Sequence, residues 1–177
     1  MKRILLSGIA LACVAALAAS PAAAQRARLS LGAGGVMPSG DYSSLDNAGW
    51  QLMGAVEVGV PHSPLAVRVD LMYGLTPHQG GLLTGSTTLS GSTANAVYRI
   101  GAPALPLRPY VLAGLGYYHV DFGSGASESK PALDAGTGLS LGFGPMHLFG
   151  EARWVSVLTS GSSTTFFPVT VGFTFGM

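Results

Sequence analysis

The sequence contains very little cysteine and little charge. Its single cysteine, Cys13, lies in an apolar N-terminal segment that we expect to be removed. Without it the chain has no disulfide framework, no thiolate nucleophile and no cysteine metal site. Charged residues make up only 10% of the sequence, and basic residues are not clustered into runs. This composition argues against nucleic acid as a partner.

The N-terminus has the three parts of a secretory signal peptide. Lys2 and Arg3 supply positive charge, Ile4 to Ala19 form an apolar stretch, and Ala22 to Ala24 provide a small-residue cleavage site. We therefore predict a signal peptide over residues 1–24. Two alternatives are a retained membrane helix and a lipid-modified cysteine. The apolar part is short for a membrane helix, which disfavours the first alternative. It also continues past Cys13, which disfavours the second.

The remainder, residues 25–177, is hydrophobic but lacks any apolar run long enough to cross a membrane as a helix. Without Lys2 and Arg3, seven of the nine basic residues remain against eight acidic ones, a net charge of about −1. Mean hydropathy over the whole sequence of 177 residues is nevertheless +0.44. From Pro168 to Met177 every second residue is apolar, and this period of two is typical of a strand with one apolar face. Hydrophobicity of this kind predicts an all-β domain.

Eight segments show this pattern and are predicted as strands. They cover residues 29–36, 50–60, 66–75, 92–101, 110–120, 133–143, 147–157 and 168–177. The second, fourth and sixth connections are short and contain proline, whereas the others are longer and rich in Gly, Ser and Thr. Short turns at one end, long loops at the other and strands of about ten residues are typical of outer membrane barrels. We predict one domain over residues 25–177, an eight-stranded antiparallel up-and-down transmembrane β-barrel.

Three segments carry a family resemblance: RPYVLAGLGYY (108–118), FGEARW (149–154) and FPVTVGFTF (167–175). They resemble the small outer-membrane β-barrel family of OmpA/OmpX type. The resemblance implies a monomer in the cell outer membrane that contacts lipid and lipopolysaccharide, is inserted by the barrel-assembly machinery and needs no cofactor. One departure is the C-terminus, where the family commonly has an aromatic residue but Gly176 and Met177 follow Phe175. We also expect no periplasmic domain, so tethering to the cell wall is not implied.

Alternate residues of a strand face opposite sides of the sheet. If the apolar set in each predicted strand faces lipid, the other set faces the lumen and includes three acids and three bases. These residues are Glu57, Arg68, Asp70, Arg99, Glu151 and Arg153. Centring the second hairpin on the turn PHSP places Glu57 opposite Arg68, where each charge compensates the desolvation of the other. We interpret this charge collar as a structural polar plug, because side chains can fill an eight-stranded barrel. The alternative is a gate in a narrow pore. Inner-face glycines leave room for large neighbours or for water.

Aromatic residues on the outer parity occur near both ends of the strands. Near the long loops they are Trp50, Tyr73, Tyr117, Trp154 and Phe167, and near the short turns Tyr98, Phe143, Phe173 and Phe175. Two aromatic girdles at the membrane interfaces are expected of a transmembrane barrel.

Residues suited to catalysis or metal binding do not form a recognisable constellation. The four histidines lie in a turn, a loop and two strand ends without metal-ligand spacing. His147 and Glu151 share the inner face, but no serine lies beside them in the predicted register, as a hydrolase would require. We therefore expect no enzymatic activity, catalytic residue, metal or cofactor.

The favoured function is that of a non-enzymatic envelope scaffold whose loops meet the outside. The loops lie around residues 41–47, 77–88, 121–130 and 159–165, and they contain no known recognition motif, so no external partner is identified. One alternative is a narrow passive pore for small solutes. Another is a soluble periplasmic lipocalin-like barrel that binds a small apolar ligand, with the two faces of every strand exchanged.

Overall fold

The computed structural model describes residues 27–44, 46–78, 85–101, 106–121, 127–158 and 164–176, so the predicted signal peptide lies outside the described residues. The chain forms a short 3-10 helix, Gly40–Ser44, and eight strands: β1 Ala27–Ser39, β2 Gly49–Gly59, β3 Leu65–Pro77, β4 Ser86–Arg99, β5 Leu107–Asp121, β6 Ser127–Phe143, β7 Met146–Val157 and β8 Thr164–Gly176. Each strand pairs antiparallel with the next, and β8 pairs with β1. The predicted eight-stranded up-and-down barrel is confirmed.

The two faces of the strands lie as predicted. In β3, Val67, Leu71 and Tyr73 are exposed on the outside, whereas Arg68 and Asp70 are buried inside. The exchanged arrangement of a soluble lipocalin-like barrel, with charges outside and valines inside, is therefore wrong. Among the described residues, no helix is both long and apolar enough to span a membrane.

Every strand begins earlier than its side-chain pattern predicts, and the differences are largest in β4 and β6. Strand β4 begins at Ser86 rather than near Ser92, and β6 begins at Ser127 rather than Leu133. The added residues are mostly Ser, Thr, Gly and charged residues, which show no apolar alternation. They nevertheless continue the backbone ladder, since Ser86 pairs with Pro77 and Ser127 with Asp121. The long-loop connections are consequently shorter than predicted.

All nine aromatic residues of the predicted girdles are exposed on the outer wall. The rings of Trp50 and Tyr73, on the neighbouring strands β2 and β3, lie 6.1 Å apart between centroids. Their placement fits two interfacial belts, and contact of these rings with membrane interfaces stays a prediction.

Candidate functional site in the barrel lumen

Four buried side chains form a closed ring of ion pairs in the lumen, which we call the charge ring: Arg68 and Asp70 from β3, and Glu151 and Arg153 from β7. Arg68 contacts Glu151 through two nitrogen–oxygen pairs at 2.8 and 2.9 Å, and Asp70 at 3.0 Å. Arg153 lies 2.6 Å from an oxygen of each acid. Because β3 and β7 lie on opposite sides of the eight-stranded barrel, the charge ring spans the lumen.

Side chains from three further strands complete the hydrogen bonding of the charge ring. Asp134 of β6 accepts from Arg153 at 2.8 Å. The Tyr110 hydroxyl of β5 donates to Glu151 at 2.8 Å, and the Asn95 amide of β4 donates to Asp70 at 2.8 Å. These hydrogen bonds lower the cost of burying the charges of the ring. The ring is thereby tied to five of the eight strands.

The remaining two charges of the predicted collar lie in a separate layer closer to the short turns. Arg99 donates to Glu57, and Arg28 lies 3.7 Å from the same carboxylate. Glu57 stands opposite Arg68 in the register, as predicted. The predicted ion pair between these two is wrong, because Arg68 reaches across the lumen to Glu151. The register determines which residues are neighbours along the backbone. A long side chain such as that of arginine can also reach acids on other strands at the same height in the barrel.

Inner-face glycines provide the space that large side chains occupy. A Cβ atom on Gly138 would lie 2.4 Å from the Tyr110 ring, and one on Gly172 would lie 2.8 Å from the Phe149 ring. Both distances are shorter than van der Waals contact. Of the two uses proposed for these glycines, room for large neighbours is the one observed at these positions.

Towards the long loops, the lumen is filled by ten buried apolar residues, which we call the apolar plug: Val36, Tyr42, Met72, Leu89, Tyr118, Val120, Ala132, Val155, Val157 and Phe166. Tyr118 meets Phe166 edge-on with ring centroids 5.5 Å apart, and its hydroxyl donates to the Met72 sulfur at 3.6 Å. The plug was not predicted from the sequence, because the inner face was expected to be polar. The signal was present, since Tyr118 and Val120 share their parity with inner-face glycines of β5.

A polar cluster closes the plug at the long-loop end. The Thr76 hydroxyl donates to Asp46 at 2.6 Å and contacts the Tyr42 hydroxyl at 2.7 Å. His78 Nδ1 lies 2.6 Å from the other Asp46 oxygen. Burial alone would favour the neutral acid, but the hydrogen bonds from Thr76 and the contact with His78 prevail and lower the pKa of Asp46. The cluster fastens the connection between β1 and β2 to the end of β3.

Among the charged residues of the lumen that were not predicted, Asp134 and Arg28 were missed for different reasons. Asp134 shares its parity with Gly136 and Gly138 in β6, so the alternation already indicated its inner position. Arg28 precedes the predicted start of the first strand by one residue, and the observed strand includes it.

A serine–histidine contact on the outer wall was also missed. His119 Nδ1 lies 2.7 Å from the Ser129 hydroxyl, and the Tyr117 hydroxyl donates to the Ser129 carbonyl at 3.0 Å. The serine lies in the segment that sequence analysis predicted as a loop, so its pairing with β5 was not foreseen.

Comparison with known proteins finds outer membrane barrels. The family model described as outer membrane protein beta-barrel domain matches residues 9–175. Among solved structures, Neisserial surface protein A aligns with 85% of this chain and 97% of its own at 16% identity and a TM-score of 0.64. The attachment invasion locus protein Ail of Yersinia pestis, solved with the heparin analogue sucrose octasulfate, aligns over 85% and 98% at 19% identity and 0.57. The outer membrane enzyme PagL aligns over 85% and 99% at 15% identity and 0.53. A search of curated proteins finds no match.

Proposed function

Since the chain belongs to the outer membrane protein beta-barrel domain family, we propose that it is a non-enzymatic outer membrane scaffold that presents its long loops at the cell surface. Outer membrane localisation follows from the family. We further propose that the signal peptide of residues 1–24 directs export and that the barrel-assembly machinery inserts the barrel. The inserted protein would be a monomer in contact with lipid and lipopolysaccharide.

The observation that carries this proposal is the filled lumen. The charge ring links opposite walls, and the apolar plug lies between it and the long loops. An ion crossing the barrel would have to break buried ion pairs and then enter an apolar layer, and both steps cost several kcal/mol. The arrangement therefore favours a scaffold over the alternative of a narrow passive pore.

The binding surface of a scaffold would consist of the segments that join the strands at the long-loop end. Much of the predicted loops, namely residues 79–84, 122–126 and 159–163, lies outside the described residues. Loops held by a rigid barrel are common binding sites, and the solved structure of Ail contains a heparin analogue. We propose contact with a surface or partner outside the cell and leave its chemistry open.

This function is tested by comparing cells that display the wild-type protein with cells that display a loop-replaced variant. In the variant, residues 79–84 and 122–126 are exchanged for Gly-Ser linkers of the same length. The matched control is Gln51→Ala, which changes a buried side chain of the lumen that donates to the Thr170 hydroxyl. We expect attachment to host surfaces or to other cells to fall in the loop variant and to persist in the control. Equal attachment by all three strains and by cells lacking the protein would contradict the proposal.

A second candidate function, lipid-ester hydrolysis, is favoured by the contact between His119 and Ser129 at the outer wall. A histidine within hydrogen-bonding distance of a serine can activate its hydroxyl as a nucleophile. The non-enzymatic proposal predicts that the purified barrel releases no more fatty acid from phospholipid or lipopolysaccharide than its Ser129→Ala variant. Release by the wild type that this variant abolishes would establish the hydrolase.

A further inference from the structure

The short-turn end of the barrel opens into a cavity of about 900 Å³ with a positively charged lining. Arg28, Arg99 and Arg108 line it from β1, β4 and β5, together with His147 of β7. Glu57 is the one carboxylate among the described residues that line it. Three guanidinium groups and one carboxylate leave a net charge of about +2 with histidine neutral.

The charges in this cavity are close enough to act on one another. Arg28 is repelled by Arg99 and Arg108, and His147 by all three arginines. The carboxylate of Glu57 contacts the guanidinium groups of Arg99 and Arg28. The Arg28 and Arg99 side chains remain 31% and 22% exposed, so a ligand entering from the turn side can reach them. Arg28 and Arg99 are thus more accessible than the two arginines of the charge ring, Arg68 and Arg153, whose side chains are buried.

We propose that this cavity binds phosphate groups. A guanidinium presents N–H donors in a planar fork that matches the oxygens of phosphate. Arginines from three strands line the cavity, and among its described lining residues they outnumber the carboxylates, so an anionic phosphate would be attracted to it. The cavity is much larger than a single phosphate and falls within the usual size range of ligand sites. The phosphate would therefore belong to a larger molecule, either a phospholipid headgroup at the membrane surface or a soluble phosphorylated compound.

The proposal is tested by titrating inorganic pyrophosphate into the folded full-length protein in a maltoside detergent, which contains no phosphate, with calorimetric detection. We expect binding that weakens as salt increases. Arg28→Gln should weaken it about tenfold, since it removes a charge-assisted hydrogen bond. Glu57→Gln should strengthen it several-fold, because the competing carboxylate is lost. Glu128→Gln, at the opposite end of β6, serves as a charge-matched control and should leave the affinity unchanged.

Arg28→Gln and Glu57→Gln are expected to change the affinity for pyrophosphate in opposite directions, and this distinguishes a ligand site from a structural role. If these residues only stabilised the fold, both changes would reduce binding together with the fraction of folded protein. The absence of pyrophosphate binding by the wild type would overturn the proposal, as would an unchanged or reduced affinity in Glu57→Gln.

A second titration identifies the source of the phosphate. In phospholipid nanodiscs, a headgroup seated in the cavity would compete, and pyrophosphate affinity would fall well below that in maltoside. An affinity equal to that in maltoside would assign the cavity to a soluble phosphorylated compound. Either result presupposes binding in maltoside, so each supports phosphate recognition and differs only in where the phosphate comes from.

Discussion

Each acid of the charge ring is shared by two guanidinium groups rather than paired with one. The Glu151 carboxylate accepts hydrogen bonds from Arg68, Arg153 and the Tyr110 hydroxyl. The Asp70 carboxylate accepts them from both arginines and from the Asn95 amide. Removal of one member therefore leaves several buried groups short of a partner, which is the costly case for a buried ion pair. At the residue scale, stability depends on contacts that cross the lumen as much as on those between neighbouring strands.

A double-mutant cycle distinguishes contact across the lumen from proximity in the sheet. Arg68→Ala and Glu151→Ala should each cost about 3–5 kcal/mol, and the double variant should lose about 1–3 kcal/mol less than their sum. The control cycle uses Glu57 and Arg68, which are opposite in register but pair elsewhere, so its coupling should be smaller. Unfolding by urea in detergent micelles measures both. A coupling for the control pair equal to or larger than that for Arg68 and Glu151 would contradict the observed pairing.

The low pKa of Asp46 predicts how its contribution to stability varies with pH. A carboxyl group whose pKa is lowered on folding stabilises the protein at pH values above its pKa in the unfolded chain, which is about 3.9. This stabilisation disappears as the pH falls through the lower pKa of the folded state. Asp46→Asn should therefore destabilise the barrel at neutral pH, and its difference from the wild type should shrink below about pH 4. Thermal unfolding of both proteins between pH 7 and 2 measures this difference. A difference that is constant over the whole range would show that ionised Asp46 is not what stabilises the cluster.

At the scale of elements, sequence predicted the number, order and faces of the strands, because a period of two also determines which side each residue faces. It did not predict the starts of β4 and β6, where backbone pairing continues through polar residues that show no alternation. In the site, parity correctly assigned Glu151 and Arg153 to the lumen. It could not choose the partners, because a strand pattern contains no information about which strand stands opposite in the closed barrel.

The packing of β6 against its neighbours is tested by a pair of glycine substitutions. Gly138→Ala would place a methyl group 2.4 Å from the Tyr110 ring, whereas an added methyl at Gly150, on β7, meets nothing within 4 Å. Forcing Tyr110 away also disturbs its hydrogen bond to Glu151, so Gly138→Ala should cost roughly 1–3 kcal/mol. Gly150→Ala is the control and should be nearly neutral in the same urea titration. Similar losses in both variants would argue against the inner-face role of Gly138.

For the whole molecule, the lumen consists of three successive layers: an open basic cavity at the short turns, the charge ring, and the apolar plug. Each of the eight strands presents exposed apolar or aromatic side chains on the outer wall, as an outer membrane barrel requires. If the protein is a scaffold, as proposed, the ring and the plug close the barrel and exchange with the surroundings is left to its two ends. The phosphate proposal concerns the short-turn end and the scaffold proposal the long-loop end, and the scaffold proposal depends on the closure between them.

Single-channel recording in a planar lipid bilayer tests this closure most directly. The refolded protein is first shown to be a folded barrel by its heat-dependent gel mobility and is then added to the bilayer, with a general porin as positive control. We predict no discrete conductance steps from the wild-type protein at either polarity. Steady, well-resolved channels whose conductance changes when Arg68 or Glu151 is replaced would show that the lumen conducts, and would contradict the account.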